Sequence, residues 1–301
     1  MKDALLLLRI HIVLIAVMGT LVFGWLITDT YLVGVALVVG LDWLLINLMN
    51  RLSDIREDLA NRIPATEKIQ DRQRTIVAIF IVVFGGSLLC TWFWRPELTG
   101  WRLFMQATGM VYNFRVIPFP GGPRRLKEVY FLKNLMSALG FVTTCFCYPL
   151  ATAGYRPLIG WAAVAALILY FVPFELTYEI LYDLRDVAGD RATGVPTYPV
   201  VHGTAVTHRI IRGLLIGSVG LLGAAFAAGL VGVRELLMAL GPTIQYFALR
   251  PLLRRGPNTD DCIRVTNLGW GMLAFYLVCT ALWIAAGLPA NVFLWKSVIN
   301  A

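Results

Sequence analysis

The chain has 301 residues, of which 58% are hydrophobic and 15% are charged, and its net charge is +8. Soluble domains usually contain about 45–50% apolar and about 25% charged residues, so the composition excludes a soluble globular protein and a disordered one. Five cysteines are too few for a disulfide scaffold. The composition predicts an all-α, polytopic membrane protein, in which the positive charge reflects loop placement and no nucleic-acid partner is expected.

A membrane-spanning helix needs about 20 mostly apolar residues. The sequence contains nine such candidates, of which the fourth and the eighth are the shortest. In chain order they are 4–28, 31–53, 74–94, 98–114, 130–153, 156–183, 207–230, 233–250 and 265–287. We therefore expect one transmembrane domain that extends over residues 1–301.

Lysine and arginine residues are unequally divided between the two sides that these nine helices define. Of the 26, 21 lie in the N-terminal segment and in the connections that follow the even-numbered helices. The other five are Arg95, Arg102, Arg156, Arg234 and Lys296. The positive-inside rule then predicts a cytoplasmic N-terminus, a C-terminus on the opposite side, and long polar connections at the cytoplasmic face.

Acidic residues cluster at the cytoplasmic ends of the second and sixth predicted helices. The clusters are Asn50, Asp54 and Asp58 in the first and Asp183, Asp186 and Asp190 in the second. If both helices continue, the spacing places each cluster on one helical face, where like charges repel one another. A compensating cation is therefore expected, and oxygen ligands without His or Cys favour Mg²⁺ or Mn²⁺.

Two facing acidic clusters also suggest what the metal would bind. Mg²⁺ keeps several waters and is often held by one or two carboxylates together with phosphate oxygens. The clusters therefore predict a diphosphate site bridged by Mg²⁺ at the cytoplasmic face. The alternative is that each cluster is a solvated helix end, as charged runs at membrane boundaries usually are.

A diphosphate also needs cations and hydrogen-bond donors from the protein. Arg56 and Arg191 lie within or beside the acidic clusters. The connection between predicted helices 4 and 5, with the start of helix 5, supplies Tyr112, Arg115, Arg124, Arg125, Lys127 and Lys133. Contact with lipid head groups is the alternative role for these cations.

Two glutamates inside the sixth predicted helix precede the acidic cluster. Glu175 and Glu179 lie eight and four residues before Asp183. Ionisable groups in apolar helices are costly and often functional. One of these glutamates, or one of the polar residues Asp42, Asn134 and Asn267 in other predicted helices, is a candidate for placing an acceptor or removing its proton. An interhelical hydrogen bond is the alternative for each of them.

With these motifs, the chain resembles the UbiA superfamily of intramembrane prenyltransferases. That family has an NDxxDxxxD-type motif on helix 2 and a DxxxD or DxxDxxxD motif on helix 6. The Tyr112-Asn113 pair and the basic stretch that ends at Lys127 are similar to the family's YS…RLK region, with Asn113 in place of Ser. One departure is Arg51, which replaces the acid that often follows the leading Asn and so removes a possible metal ligand.

The resemblance implies a nine-transmembrane-helix bundle of the UbiA prenyltransferase type. It also implies Mg²⁺-dependent transfer of an isoprenoid chain, within membrane lipid, from an allylic prenyl diphosphate to a hydrophobic, most often aromatic, acceptor. The implied metal ligands are Asn50, Asp54, Asp58, Asp183, Asp186 and Asp190, with Asp54, Asp58, Asp186 and Asp190 as the catalytic set. The implied diphosphate contacts are Asn50, Arg56, Tyr112, Arg115, Lys127 and Arg191.

Three alternatives stay open at this point. The first is a terpene synthase of the same fold, which cyclises the same donor. The second is transfer of the isoprenoid chain to a non-aromatic acceptor: a glycerol phosphate, a sugar phosphate, haem or a carotenoid. A membrane transporter is the alternative from a different class, although it predicts carboxylates near the bilayer midplane rather than at one edge.

Overall fold

The computed structural model describes residues 8–60 and 66–288, and the elements in these ranges are helices, apart from an isolated antiparallel bridge between Ile117 and Arg124. The long helices are α1 (Ile10–Thr28), α2 (Val33–Ser53), α5 (Gln73–Trp94), α6 (Pro96–Asn113), α7 (Leu132–Thr152), α8 (Trp161–Thr193), α9 (Tyr198–Ala227), α10 (Arg234–Arg255) and α11 (Thr259–Ala285). Two short helices, α3 (Ile55–Ala60) and α4 (Thr66–Asp71), follow α2. The prediction of an all-α fold is confirmed.

Eight of the long helices in the described ranges are long and apolar enough to cross a membrane. The exception is α6, which occupies the position of the predicted span 98–114 but contains Glu97, Arg102 and Gln106 within its 18 residues. The polytopic membrane class is therefore confirmed, whereas the count of nine spans is not. Residues 4–7 of the first predicted span, and Lys296, lie outside the described residues.

The helices form a bundle that closes between its first and last members. α1 packs against both α2 and α11, and α8 packs against α7 and α9. Aromatic rings fill the interior: the ring centroids of Phe23 and Phe146 are 4.2 Å apart, and those of Trp43 and Phe141 are 4.0 Å apart. α5 lies at the edge of the bundle, where Thr91 is its one buried residue.

A buried ion pair explains how α6 carries charge inside the bundle. Arg102 Nη2 donates to Asp42 Oδ1 at 2.7 Å, and both side chains are 0% exposed. Tyr148 OH donates to Asp42 Oδ2 at 2.8 Å, and Arg102 Nη1 donates to Thr91 Oγ1 at 2.8 Å. The network joins α2, α5, α6 and α7, so Arg102 is a core residue rather than a loop cation.

The two acidic clusters lie at helix ends of different kinds. α2 ends at Ser53, because Asp54 has φ −105° and ψ 14° and the Ser53 hydroxyl bonds to the Asn50 carbonyl at 2.9 Å. The prediction of one helical row from Asn50 to Asp58 is therefore wrong at Asp54, and Asp58 belongs to α3.

By contrast, α8 continues well past the predicted end at residue 183. Its 33 residues end at Thr193, and Gly194 follows with φ 73°, a left-handed conformation that suits glycine at a helix C-terminus. The second acidic cluster therefore lies on one continuous helix, as predicted. α9 likewise begins at Tyr198, before the predicted residue 207, and contains a break at Gly203, where φ is 75°.

Candidate active site

The acidic residues at the two helix ends line a single cavity, named here the carboxylate cavity. Its lining includes the predicted residues Asn50, Asp54, Asp58, Tyr112, Lys127, Asp183, Asp186 and Asp190. The break in α2 at Asp54 does not separate the first cluster from the second, because α3 contacts α8. The structure thus brings together all six residues that were predicted to bind metal.

Three of the predicted diphosphate contacts do not line this cavity. Arg56 and Arg191 are exposed. Arg115 is 63% exposed and its Nη2 atom lies 3.1 Å from the Glu128 carboxylate. In this structure the carboxylates contact other lysine and arginine side chains, not these three arginines.

In the first acidic cluster, each aspartate contacts basic side chains. Arg51 Nη1 lies 2.7 Å from Asp58 Oδ2, and the two side chains are 5% and 10% exposed. Lys127 Nζ contacts the Asp54 carboxylate. Arg125 Nη1 also approaches Asp54 Oδ1, at 3.4 Å. Arg51, which the sequence marked as a lost ligand, is therefore a counterion.

The second acidic cluster is neutralised in the same way. Lys133 Nζ lies 2.8 Å from Asp183 Oδ1 and 3.4 Å from Asp190 Oδ2, so one lysine bridges two carboxylates on successive turns of α8. The guanidinium of Arg185 contacts the carboxylate of Asp186 at 2.5 Å. These pairs relieve the repulsion that the sequence predicts for stacked carboxylates.

The donor set of the cavity fits a hard divalent cation. Six carboxylates and the Asn50 amide line the cavity, and no His or Cys is among the described residues that line it. Lysine and arginine side chains stand between these carboxylates. In the described ranges, no three acidic, His or Cys side chains lie close enough together to hold one ion. Metal binding at this site therefore requires the internal cations to give way.

A short 3₁₀ turn at Leu126–Glu128 places Lys127 in the carboxylate cavity, where it is 3% exposed. Glu128 holds the turn by accepting hydrogen bonds from Arg125 N at 3.2 Å and Arg125 Nε at 2.8 Å. Burial acts to raise the pKa of the Glu128 carboxyl, but the hydrogen bonds from Arg125 and Arg115 outweigh it and keep that pKa below its usual range.

A second cavity adjoins the first and is mostly apolar, and we name it the apolar chamber. The residues that line both cavities are Asn50, Tyr112 and Glu179, together with Arg9 and Ile12 around the N-terminal end of α1. The side chains that belong to the chamber alone include Trp43, Ile46, Met105 and Met136. An amphiphile with a charged head and an apolar chain therefore has a place for each part.

Sequence reasoning did not single out Arg9, Tyr182 or Arg185, which also line the carboxylate cavity. Tyr182 OH lies 3.0 Å from His11 Nε2 and so ties α8 to α1. Arg185 and Tyr182 flank the predicted Asp183, which is the one sequence signal for them. Arg9 is an ordinary cation at a helix end in the sequence, and only the fold brings it to the site.

Comparisons with known proteins agree with this architecture. The UbiA prenyltransferase family profile matches residues 7–268. The digeranylgeranylglyceryl phosphate synthase of Methanopyrus kandleri is 34% identical over 155 residues. That alignment covers 50% of this chain and 55% of the relative, so the chain matches about half of that protein's length.

Solved structures with little sequence identity share the fold. A UbiA homolog from Archaeoglobus fulgidus bound to DMAPP and Mg²⁺ superimposes with a TM-score of 0.67 at 17% identity, covering 91% of this chain and 97% of that one. The same homolog bound to GPP and Mg²⁺ gives 0.67 at 17% identity, with 92% and 98% covered. An apo UbiA homolog from Aeropyrum pernix K1 gives 0.63 at 11% identity, with 90% and 98% covered.

Proposed function

The chain belongs to the UbiA prenyltransferase family, and on that premise we propose that it transfers an isoprenoid chain from an allylic prenyl diphosphate to a lipid acceptor. The observation that carries this proposal is the junction of the two acidic clusters in one cavity that adjoins an apolar chamber. A diphosphate suits the first cavity and an isoprenoid chain suits the second.

The residues proposed to hold Mg²⁺ are Asn50, Asp54, Asp58, Asp183, Asp186 and Asp190, whose oxygen donors fit that ion. Bound Mg²⁺ supplies charge stabilisation to the departing diphosphate. That the Archaeoglobus fulgidus homolog is bound to Mg²⁺ with DMAPP or GPP supports this assignment.

The protein's own cationic side chains and its apolar chamber provide the other parts of the site. Lys127 and Tyr112 line the carboxylate cavity and are placed to contact diphosphate oxygens, as charge-assisted hydrogen bonds to phosphate are strong. Lys133 and Lys127 exchange a carboxylate partner for a phosphate partner when the donor binds. The apolar chamber holds the allylic carbon away from water, which prevents hydrolysis of the donor.

The acceptor that we propose is a hydroxyl group on a glyceryl phosphate lipid. The relative from Methanopyrus kandleri, which by its name makes digeranylgeranylglyceryl phosphate, supports this choice. The aromatic acceptor expected from the family resemblance is the competing proposal, without support from that relative. We place the site at the cytoplasmic face, because 21 of the 26 Lys and Arg residues lie on that side of the predicted topology.

The test uses the full chain in lipid nanodiscs with Mg²⁺ and geranylgeranyl diphosphate. Three parallel reactions contain geranylgeranylglyceryl phosphate, 4-hydroxybenzoate or no acceptor, and diphosphate release and lipid products are both measured. We expect release and a new ether lipid in the first reaction, with Asp186→Asn as the inactive control.

Each other pattern contradicts the proposal in its own way. Formation of a prenylated product only with 4-hydroxybenzoate would identify an aromatic acceptor. Release of diphosphate together with a cyclic hydrocarbon, in the reaction without acceptor, would identify a cyclase. No release in any reaction would refute the prenyltransferase activity, and ion flux in sealed vesicles that contain the protein would favour a transporter.

A further inference from the structure

We propose that Glu179 is the catalytic residue that accepts the proton of the acceptor's hydroxyl group, a role that rests on the proposed prenyl transfer. Glu179 lines both the carboxylate cavity and the apolar chamber. The other described residues that line both are Arg9, Ile12, Asn50 and Tyr112, so Glu179 is the one carboxylate at the junction.

Glu179 differs from the aspartates of the carboxylate cavity in the side chains that it contacts. Those aspartates each contact a lysine or an arginine, whereas Glu179 makes no ion pair within the described ranges. Its Oε1 atom instead accepts a hydrogen bond from the neutral Ser137 hydroxyl at 2.7 Å. Ser137 lines the apolar chamber and so holds the carboxylate beside it. Glu179 is therefore available as a base, without the counterion that occupies each aspartate.

The neighbouring glutamate on α8 does not share this position. Glu175, one turn earlier, is 2% exposed and lines a different cavity, with Tyr170, Phe174 and Tyr178. That cavity shares no described residue with the carboxylate cavity. The structure thus separates two residues that the sequence treats alike, and Glu175 becomes a matched control for Glu179.

The reaction needs a base at the junction. The bond between the allylic carbon and the diphosphate oxygen breaks, and its electron pair leaves with the diphosphate. The acceptor oxygen forms a new bond to that carbon and must then lose its proton. In the mostly apolar chamber, the proton passes to a carboxylate oxygen of Glu179. The departing diphosphate is the competing proton acceptor.

The test compares Glu179→Gln, Glu179→Asp, Ser137→Ala and Glu175→Gln with the wild type in nanodiscs, with Mg²⁺, geranylgeranyl diphosphate and geranylgeranylglyceryl phosphate. We expect Glu179→Gln to lower kcat by about 10²-fold or more, as general-base catalysis usually contributes. Donor affinity stays unchanged, and Glu179→Asp restores part of the rate. Ser137→Ala gives a smaller loss, and Glu175→Gln keeps wild-type turnover.

The outcomes separate the two proposals. An active wild type with an equally active Glu179→Gln variant would assign the proton to diphosphate and overturn the role of Glu179 alone. Loss of donor affinity in Glu179→Gln would make it a donor-binding residue and also overturn that role. A wild type that releases no diphosphate would instead refute the prenyl transfer itself.

Discussion

Replacing Arg51 with Gln tests whether the carboxylate cavity is held together by its own cations. The substitution removes the guanidinium that lies 2.7 Å from the Asp58 carboxylate, at a place where the two side chains are 5% and 10% exposed. Removing one partner of a buried ion pair typically costs about 3–5 kcal/mol. Asp58 also lines the cavity, where some water can reach it. We therefore expect Arg51→Gln to lower the free energy of unfolding by about 3 kcal/mol, the low end of that range.

Two companion measurements identify the ion pair as the cause. The double variant Arg51→Gln/Asp58→Asn should recover most of the loss, because it leaves no uncompensated charge. Excess Mg²⁺ should also stabilise Arg51→Gln more than the wild type, since Asp58 is then free to bind the ion. A ligand at about 100 times its Kd contributes about 2.7 kcal/mol.

The assay is unfolding in mixed micelles with increasing SDS, followed by tryptophan fluorescence, in EDTA and in Mg²⁺. All four members of the double-mutant cycle are measured under both conditions. The reasoning fails if Arg51→Gln is as stable as the wild type in EDTA. It also fails if the losses of the two single variants simply add in the double variant, because additivity means that the two side chains do not interact.

Three further changes test other parts of the molecule. Lys127→Met should weaken binding of the prenyl diphosphate by about 10-fold or more, since a charge-assisted hydrogen bond contributes about 1.5–3 kcal/mol. Unchanged affinity in a titration would limit Lys127 to its contact with Asp54. Gly140 lines the apolar chamber, and a Cβ added there would lie 3.3 Å from Met105. Gly140→Leu should therefore reduce turnover with geranylgeranyl diphosphate more than with dimethylallyl diphosphate, and equal losses would mean that the chamber does not hold the isoprenoid chain. Asp42→Asn should lower the free energy of unfolding by about 3–5 kcal/mol by leaving Arg102 buried without its carboxylate; wild-type stability in the SDS titration would contradict this.

The broad fold could be predicted from hydrophobic run lengths, because a spanning helix must be about 20 apolar residues long whatever its neighbours are. The spacing of the acidic residues also identified a cluster on α8, which continues as a helix through Gly189 to Thr193. These signals are local in the chain. Each signal depends on a single helix and its solvent, so a single sequence is enough to predict the feature.

The features that could not be predicted depend on partners far apart in the chain. The sequence could not predict the buried ion pair of Arg102 on α6, because its partner Asp42 is 60 residues away. The sequence suggested unpaired, repelling aspartates, but Lys133 reaches Asp183 from another helix. Alanine at an aspartate of this site is therefore expected to leave a cation unpaired, rather than to relieve repulsion.

The length of α8 has a consequence for how the protein depends on its surroundings. At about 1.5 Å per residue, its 33 residues extend for roughly 50 Å, against a hydrocarbon thickness of about 30 Å. The last turns, which carry the acidic residues, can therefore project into the head-group layer. A thicker bilayer, made from longer acyl chains, would submerge those turns, and a thinner one would lift them into water. We expect turnover to pass through an optimum as the acyl-chain length of the host lipid is varied.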